Sequence, residues 1–325
     1  MTPPELECHL NPTDLAAELR ADVLTGLTAT PKRLPPKWFY DARGSALFEE
    51  ITRLPEYYPT RAERAVLTRH APEIARLTGA KVLIELGSGS SEKTRLLLDA
   101  LRGYGSLGGF VPLDVSEPAL RDAVRSLTAD YPGLDVSGVV GDFTRHLGCL
   151  PAGTSRLVAF LGGTIGNLLP EQRARFFADV RGVLTSGEWF LLGADLVKDP
   201  EVLVPAYDDA AGVTAEFNRN VLWVLNRELG ADFRPEAFEH VALWDADQEW
   251  IEMRLRASTP MRVRVPVLGL DVGFAAGEEL QTEVSAKFRR EGIQAELAAA
   301  GFALRRWWTD PKGRFSLSLA EAEPR

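Results

Sequence analysis

Between about residues 60 and 196 the sequence alternates short apolar runs with helical stretches, and this most narrows what the chain can fold into. KVLIEL (81–86) is followed by a helix expected from about Ser91 to Leu101, and FVPLDV (110–115) by a helix that Pro118 can open in its first turn. LDVSGVV (134–140) ends in GDF, RLVAFLG (156–162) leads through a Gly-rich stretch to a helix opened by Pro170, and EWFLLGAD (188–195) supplies a fifth strand. Continuous apolar strands separated by helices indicate a parallel sheet covered on both faces. Ligands of such sheets lie beyond the carboxyl ends of the strands, where strand order reverses. GSGS, Asp114, GDF and GGTIGN all fall there.

The pattern changes after Asp195. Residues 199–229 read as helical with a break at Gly212, 240–257 alternate like a β-hairpin about DADQ, and 262–272 read as one further strand. ELQTEVSAKF precedes a helix over 290–300, and FALRRWWTD with RFSLSLAE forms an antiparallel pair closing the main sheet. The expected architecture is α/β, a Rossmann-like and mostly parallel seven-stranded sheet (61–196 and 287–325) carrying an accessory substrate-binding domain (1–60 and 197–286).

The stretch LIELGSGSSEKT (83–94) has the ingredients of a phosphate loop, and two templates test it. Both the dinucleotide GxGxxG and the P-loop GxxxxGK[ST] require glycine where Glu92 stands. Glu92 also brings negative charge near a helix start that a pyrophosphate would need. S-adenosylmethionine, which carries no phosphate, fits better. Gly87 lets the backbone approach the ligand, Glu85 faces its polar tail, Asp114 accepts from the ribose hydroxyls, and Asp142 accepts from the adenine amine with Phe143 against the ring. The ordered strand ends indicate a Class I S-adenosylmethionine-dependent methyltransferase core. A nicotinamide oxidoreductase is disfavoured by the missing third glycine. FLGGTIGNLLP (160–170) stands where such enzymes place the methyl acceptor, and Asn167 reads equally well as an acceptor-positioning amide or as a helix cap.

A net charge of −9 over 325 residues argues against a nucleic-acid partner, and no apolar run approaches the ~20 residues of a membrane helix. Cys8 and Cys149, with four histidines (His9, His70, His146, His240) lacking ligand spacing, leave no metal site. MTPPELECHLNPTD has neither a basic start nor an apolar core, and the isolated cysteines suit a reducing compartment, so a soluble cytoplasmic protein is expected.

LPPKWFYDARGSALFEEITRLPEYYPTRAE (34–63), IELGSGSSEKTRLLLDA (84–100), FLGGTIGNL (160–168), LGADLVKD (192–199), AYDDAAGVTAEFNRNVL (206–222) and GEELQTEVSAKF (277–288) together resemble the histidine-specific N-alpha-methyltransferases of ergothioneine biosynthesis. The resemblance spans essentially the whole chain, and WFYD, PEYYPTR and TEVSxKF carry it outside the cofactor core. It implies transfer of three methyl groups from S-adenosylmethionine to the α-amino nitrogen of L-histidine, giving the betaine hercynine. It implies a cofactor set of Tyr40, Gly87, Lys93, Asp114, Asp142 and Phe143, and a histidine pocket of Phe48, Tyr57, Gly162, Thr164, Asn167, Tyr207, Met253, Glu283 and Ser285. Tyr57 and Asn167 are the expected catalytic pair, one as base and one aligning the nitrogen, in a monomer whose partner is free histidine and its mono- and dimethyl forms.

Glu283 and Ser285 are two apart on an expected strand and share a face. A carboxylate and a hydroxyl there satisfy both nitrogens of neutral imidazole, whereas their residue types alone read as a solvated strand face. Lys93 alone reads as a helix-surface charge, Phe48 and Met253 as core, and the tyrosines as amphipathic burial. The rivals are a methyltransferase of the same fold for another small molecule and a non-catalytic sensor. An intact GSGS loop with Asp114 argues against the sensor.

Overall fold

The computed structural model describes residues 6–153 and 155–324, which form two compact units. The first comprises the segment ending at Leu10, Pro59–Val197 and the stretch beginning at Phe288; the second comprises Asn11–Tyr58 and Lys198–Lys287.

The main sheet of the first unit runs, edge to edge, Leu6–Cys8, Gly138–Val140, Gly109–Asp114, Val82–Leu86, Arg156–Phe160, Trp189–Asp195, Phe315–Ala322 and Phe302–Thr309, with Asp135–Val136 beside Gly109–Asp114. Every pairing up to Trp189–Asp195 is parallel. Phe315–Ala322 then lies antiparallel to both its neighbours. The chain builds outward from Val82–Leu86 on one side before returning to its other side with Arg156–Phe160, so strand order reverses there. Leu83, Phe110, Leu157, Leu191 and Leu317 pack one face against Val66, Leu67 and Ile74 of the helix Pro59–Thr78. The rings of Phe143, Phe160, Phe176, Phe177 and Phe190 form a chain of contacts elsewhere in this unit. With these strands buried on both sides, the apolar runs do not alternate.

Four local expectations are corrected. The helix after the Gly-rich loop begins at Arg95, not Ser91, because Ser91 sits in the left-handed region (φ 52°) and 92–94 form turns. Residues 262–272 are not one strand but the larger part of a hairpin, Met261–Val265 with Leu270–Phe274. Pro266 opens a 3-10 turn there, and Gly269 in the left-handed region closes it. Residues 199–212 hold a one-turn α-helix, Pro200–Leu203, and a 3-10 turn, Val204–Ala206, rather than a continuous helix, and Gly212 (φ 75°) caps the helix Val213–Leu229. Leu6–Cys8, expected in the accessory domain, is instead the edge strand of the main sheet.

The second unit is a four-stranded sheet in the order Lys32–Arg33, Glu279–Ala286, Trp250–Ala257, Phe238–Asp245. Its helices are Pro12–Thr28, Ala42–Ile51 and Val213–Leu229. Met253 faces Glu283 while Arg254 faces Gln281, which leaves Thr282 as a one-residue bulge. The Thr282 hydroxyl donates to Met253 O (3.0 Å) and contacts Asn218 Oδ1 (2.6 Å), which closes the gap with polar partners.

Candidate active site

The first strand of the parallel core ends at Gly87, where the chain turns sharply. Gly87 (φ 67°) and Gly89 (φ 50°) hold left-handed conformations that side-chain-bearing residues rarely adopt. The Gly87 and Ser88 N–H groups donate to Leu113 O at 2.8 and 3.1 Å, which pins the loop to the neighbouring strand. Asp114, at the end of that strand, accepts from Gly89 N–H (2.8 Å) through Oδ2 and from Ser116 N–H (2.9 Å) through Oδ1. Each carboxylate oxygen therefore takes one backbone donor and keeps lone-pair capacity for a ligand diol. Burial nonetheless pushes the Asp114 carboxyl above its ordinary range, against the lowering effect of those N–H groups.

Glu85 lies one turn of the pleat before the loop and is only 4 % exposed. Its Oε1 accepts from the Thr94 hydroxyl, while Oε2 is buried with no hydrogen-bond partner, as is Ser88 Oγ. Burial pushes the Glu85 carboxyl up to about 7, although Thr94 and Lys93 act in the opposite direction. A buried acceptor without a donor is costly, so the site calls for a cationic or N–H-bearing group. A Cβ on Gly89 would meet nothing within 4 Å, so there is open space over the loop. These features fit the amino-acid tail and ribose of S-adenosylmethionine and oppose a pyrophosphate. The discrimination rests on Glu85 rather than on Glu92, which is exposed and stands three residues before the helix.

Asp142 Oδ1 accepts from the Thr144 N–H and hydroxyl, both at 2.7 Å. The Phe143 ring lies 4.9 Å from that of Phe160, and its edge would be 4.0 Å from a Cβ on Gly87. Lys93 is ion-paired with Glu63, a residue with no exposed surface that also accepts from Gly162 N–H at 2.7 Å. Glu63 thus joins Lys93 to the loop at Gly162. In that loop Gly162 (φ 81°) is followed by the 3-10 turn Thr164–Asn167, and the Thr164 hydroxyl donates to Leu161 O at 3.3 Å.

The remaining expected residues belong to the second unit. Tyr40, 38 % exposed, sets its ring edge against Phe48 (5.6 Å) and Phe217 (5.5 Å), and Phe48 contacts Tyr57 at 6.2 Å. Asp41 fixes this segment by accepting from Gly44 N–H, Asn220 Nδ2 and Arg227 Nη1 at 2.7–2.8 Å. Burial disfavours the charge of Asp41, but these donors outweigh it and hold the carboxyl below its usual range. On the strand Glu279–Ala286, Glu283 and Ser285 share one face, and Met253 stands opposite Glu283. Ser285 Oγ is 2.8 Å from the Tyr207 hydroxyl.

A family model described as "Histidine-specific methyltransferase, SAM-dependent" matches residues 19–322. The chain belongs to this histidine-specific methyltransferase family. It is 60 % identical over 94 % of its length to the histidine N-alpha-methyltransferase of Mycolicibacterium smegmatis, 96 % of which is covered. Identity to the histidine N-alpha-methyltransferase of Mycobacterium tuberculosis is 57 %, over 93 % of this chain and 94 % of that one. The ergothioneine biosynthesis protein 1 of Neurospora crassa is 34 % identical over 62 % of this chain and 23 % of its own length.

Several hydrogen-bonded residues beside the expected site residues were not singled out by the sequence. Glu63 and Asp41 were passed over, the first because a glutamate within RAER reads as a helix-surface charge. His240, expected only to be surface or locally satisfied, donates from Nε2 to Tyr207 O (2.8 Å) and accepts at Nδ1 from Asn218 Nδ2 (2.9 Å). A carbonyl accepts only, so the neutral Nε2–H tautomer is the one that fits, and burial lowers the ring's pKa. Lys287 was also passed over; it is 4 % exposed and bonded to both Tyr207 and Ser285. Among the described residues, no group of three or more His, Cys, Asp or Glu is arranged to hold a metal, and no helix is long and apolar enough to cross a membrane.

Proposed function

We propose that this protein transfers three methyl groups in succession from S-adenosylmethionine to the α-amino nitrogen of L-histidine, giving hercynine, a step of ergothioneine biosynthesis. The observation that carries the choice of acceptor is the strand face presenting Glu283 and Ser285 two residues apart, with the Tyr207 hydroxyl beside Ser285. Carboxylate and hydroxyl together meet the N–H and the lone pair of neutral imidazole, and an amino acid without that pair forgoes both bonds. Support comes from the two mycobacterial relatives, both histidine N-alpha-methyltransferases, and from the fungal ergothioneine biosynthesis protein.

In this reading Gly87, Asp114, Asp142 and Phe143 hold the adenosyl portion, with Lys93 and Tyr40 as further cofactor contacts. When bound, the cofactor supplies an electrophilic methyl group on a sulfonium whose departure as a neutral thioether drives the transfer. The protein's work is then to hold the acceptor nitrogen in line and to remove its proton. Gly162, Thr164 and Asn167 line the acceptor loop, and Asn167 aligns the nitrogen with its lone pair toward the methyl carbon. Phe48, Met253 and Tyr207 enclose the amino acid. Tyr57 takes the amine proton, which passes on to water before each further attack. Positioning of this kind is worth up to ~7–11 kcal/mol, and general-base assistance adds roughly 10²–10⁴-fold. Aromatic faces tolerate the growing ammonium charge, which Lys or Arg would repel. The protein is taken to work as a monomer in the cytoplasm, a reducing compartment that suits the free thiols Cys8 and Cys149.

The test is purified protein incubated with S-adenosylmethionine and a panel of free amino acids, followed by mass spectrometry. Histidine alone is expected to gain three methyl groups. Consumption of another amino acid with histidine untouched would overturn the acceptor and leave the donor standing.

A further inference from the structure

Lys287 Nζ lies 2.7 Å from the Tyr207 hydroxyl and 2.8 Å from Ser285 Oγ, and those two oxygens are 2.8 Å apart. The three groups form a closed triangle, with Lys287 only 4 % exposed, Ser285 6 % and Tyr207 9 %. The ammonium also sits 4.6 Å from the centroid of the Tyr207 ring. We propose that Lys287 is a positioning residue that fixes the direction of the Tyr207–Ser285 hydrogen bond, so that Ser285 meets the substrate ring as a donor only. This deepens the histidine reading and rests on it.

The argument is one of donor and acceptor accounting. An ammonium has donors and no acceptor, so in two sides of the triangle the hydroxyl oxygens must accept. On the third side one hydroxyl donates to the other. A phenol, with a pKa near ~10, is the more acidic of the two, and an ammonium at its oxygen makes it a still better donor. Tyr207 therefore donates to Ser285. The two lone pairs of Ser285 are then taken, one by Lys287 and one by Tyr207, and its own proton is the only capacity it turns outward. Glu283, on the same face two residues away, can only accept when ionised. One fixed donor beside one fixed acceptor matches a ring with one lone-pair nitrogen and one N–H. A ring that offers an N–H but no second nitrogen leaves the Ser285 proton unsatisfied.

Without Lys287 the serine is free to reverse, donating to Tyr207 and accepting from a ligand. The measurement is the dissociation constant, by titration calorimetry, of L-histidine against the two pyrrolylalanine isomers, which keep an N–H and lack the acceptor nitrogen. The wild-type protein is expected to prefer histidine by at least about 100-fold over the better isomer. K287M is expected to lower that preference below about 10-fold, S285A to lower it equally, and the double variant to go no lower than S285A. K287R, which keeps charge and donors, is expected to retain the wild-type preference, and cofactor affinity is expected to be unchanged throughout. If K287M shows no cooperative melting transition, Y207F makes the same test, because loss of the phenolic proton returns an acceptor position to Ser285 and the preference is again expected to fall. A folded K287M or Y207F with the wild-type preference, or effects of K287M and S285A that add, would overturn the inference alone. A wild-type protein that binds no histidine overturns it together with the histidine reading.

Discussion

The two units build their candidate sites by different means. In the first, the contacts that shape the cradle are mainly backbone: N–H groups of Gly87, Ser88, Gly89 and Ser116 are tied to Leu113 O and the Asp114 carboxylate. In the second, the candidate face is made of side chains: Glu283, Ser285 and Lys287 from the end of one strand, met by Tyr207 from some 80 residues earlier in the chain. A backbone-built site needs particular glycines at particular spacings and so leaves a contiguous motif. A side-chain site needs only a rigid frame, and its members can be exchanged one at a time.

Substitutions in each unit test this contrast. The largest effect is expected at Glu283→Ala, which should cut kcat/KM for histidine by roughly 10³-fold or more while cofactor affinity stays within about threefold. Equal loss of both would mean that the two sites are not separable. Asp114→Ala should show the converse, with cofactor affinity about 100-fold weaker in a direct binding titration and histidine binding little altered, since both a ribose acceptor and a loop anchor are lost.

Glu85 offers a test by pH. Its folded-state pKa of about 7 lies above the ordinary 4.5, so the folded protein holds an extra proton between those values. The favourable contribution is full below about pH 4.5 and is lost as the pH rises through about 7, a span worth about 3 kcal/mol. The fall in unfolding free energy between about pH 5 and about pH 8 should therefore shrink in Glu85→Gln by up to that amount, as read by urea titration. Cofactor binding at about pH 6.5 should release a proton from wild type and none from this variant, which calorimetry in buffers of different ionisation enthalpy will detect. Smallest of all, Thr282→Val should cost about 1–2 kcal/mol in stability, through loss of the hydroxyl's bonds to Asn218 and Met253 O. A neutral result there would show that the bulge is held by other contacts.

This contrast also explains what the sequence made legible. The parallel sheet, its switch point and the ends at Gly87, Asp114 and Asp142 could be read because strands buried on both faces are continuously apolar and their glycines occupy positive φ. The strand Leu6–Cys8 could not, because three residues give no periodicity. The hairpin in 262–272 was signalled by Pro266 and Gly269 but hidden by apolar residues running through the turn. Glu63 and Lys287 were invisible for a shared reason: isolated charged residues look solvated until a fold places donors around them. The candidate histidine residues came from resemblance rather than from pattern.

Thr282 has a bearing on how such a face can change. Side chains along a strand alternate between its two sides, so one surplus residue reverses the parity between the segment before it and the segment after it. Leu280, Glu283 and Ser285 oppose Leu255, Met253 and Ile251, which stand two apart, so the surplus residue is what lets an even position before it and odd positions after it share one side. A redesign that straightened this ladder by adding a residue opposite Thr282, between Met253 and Arg254, would turn Leu280 away from the side of Glu283 and Ser285 even if it left both of those side chains untouched.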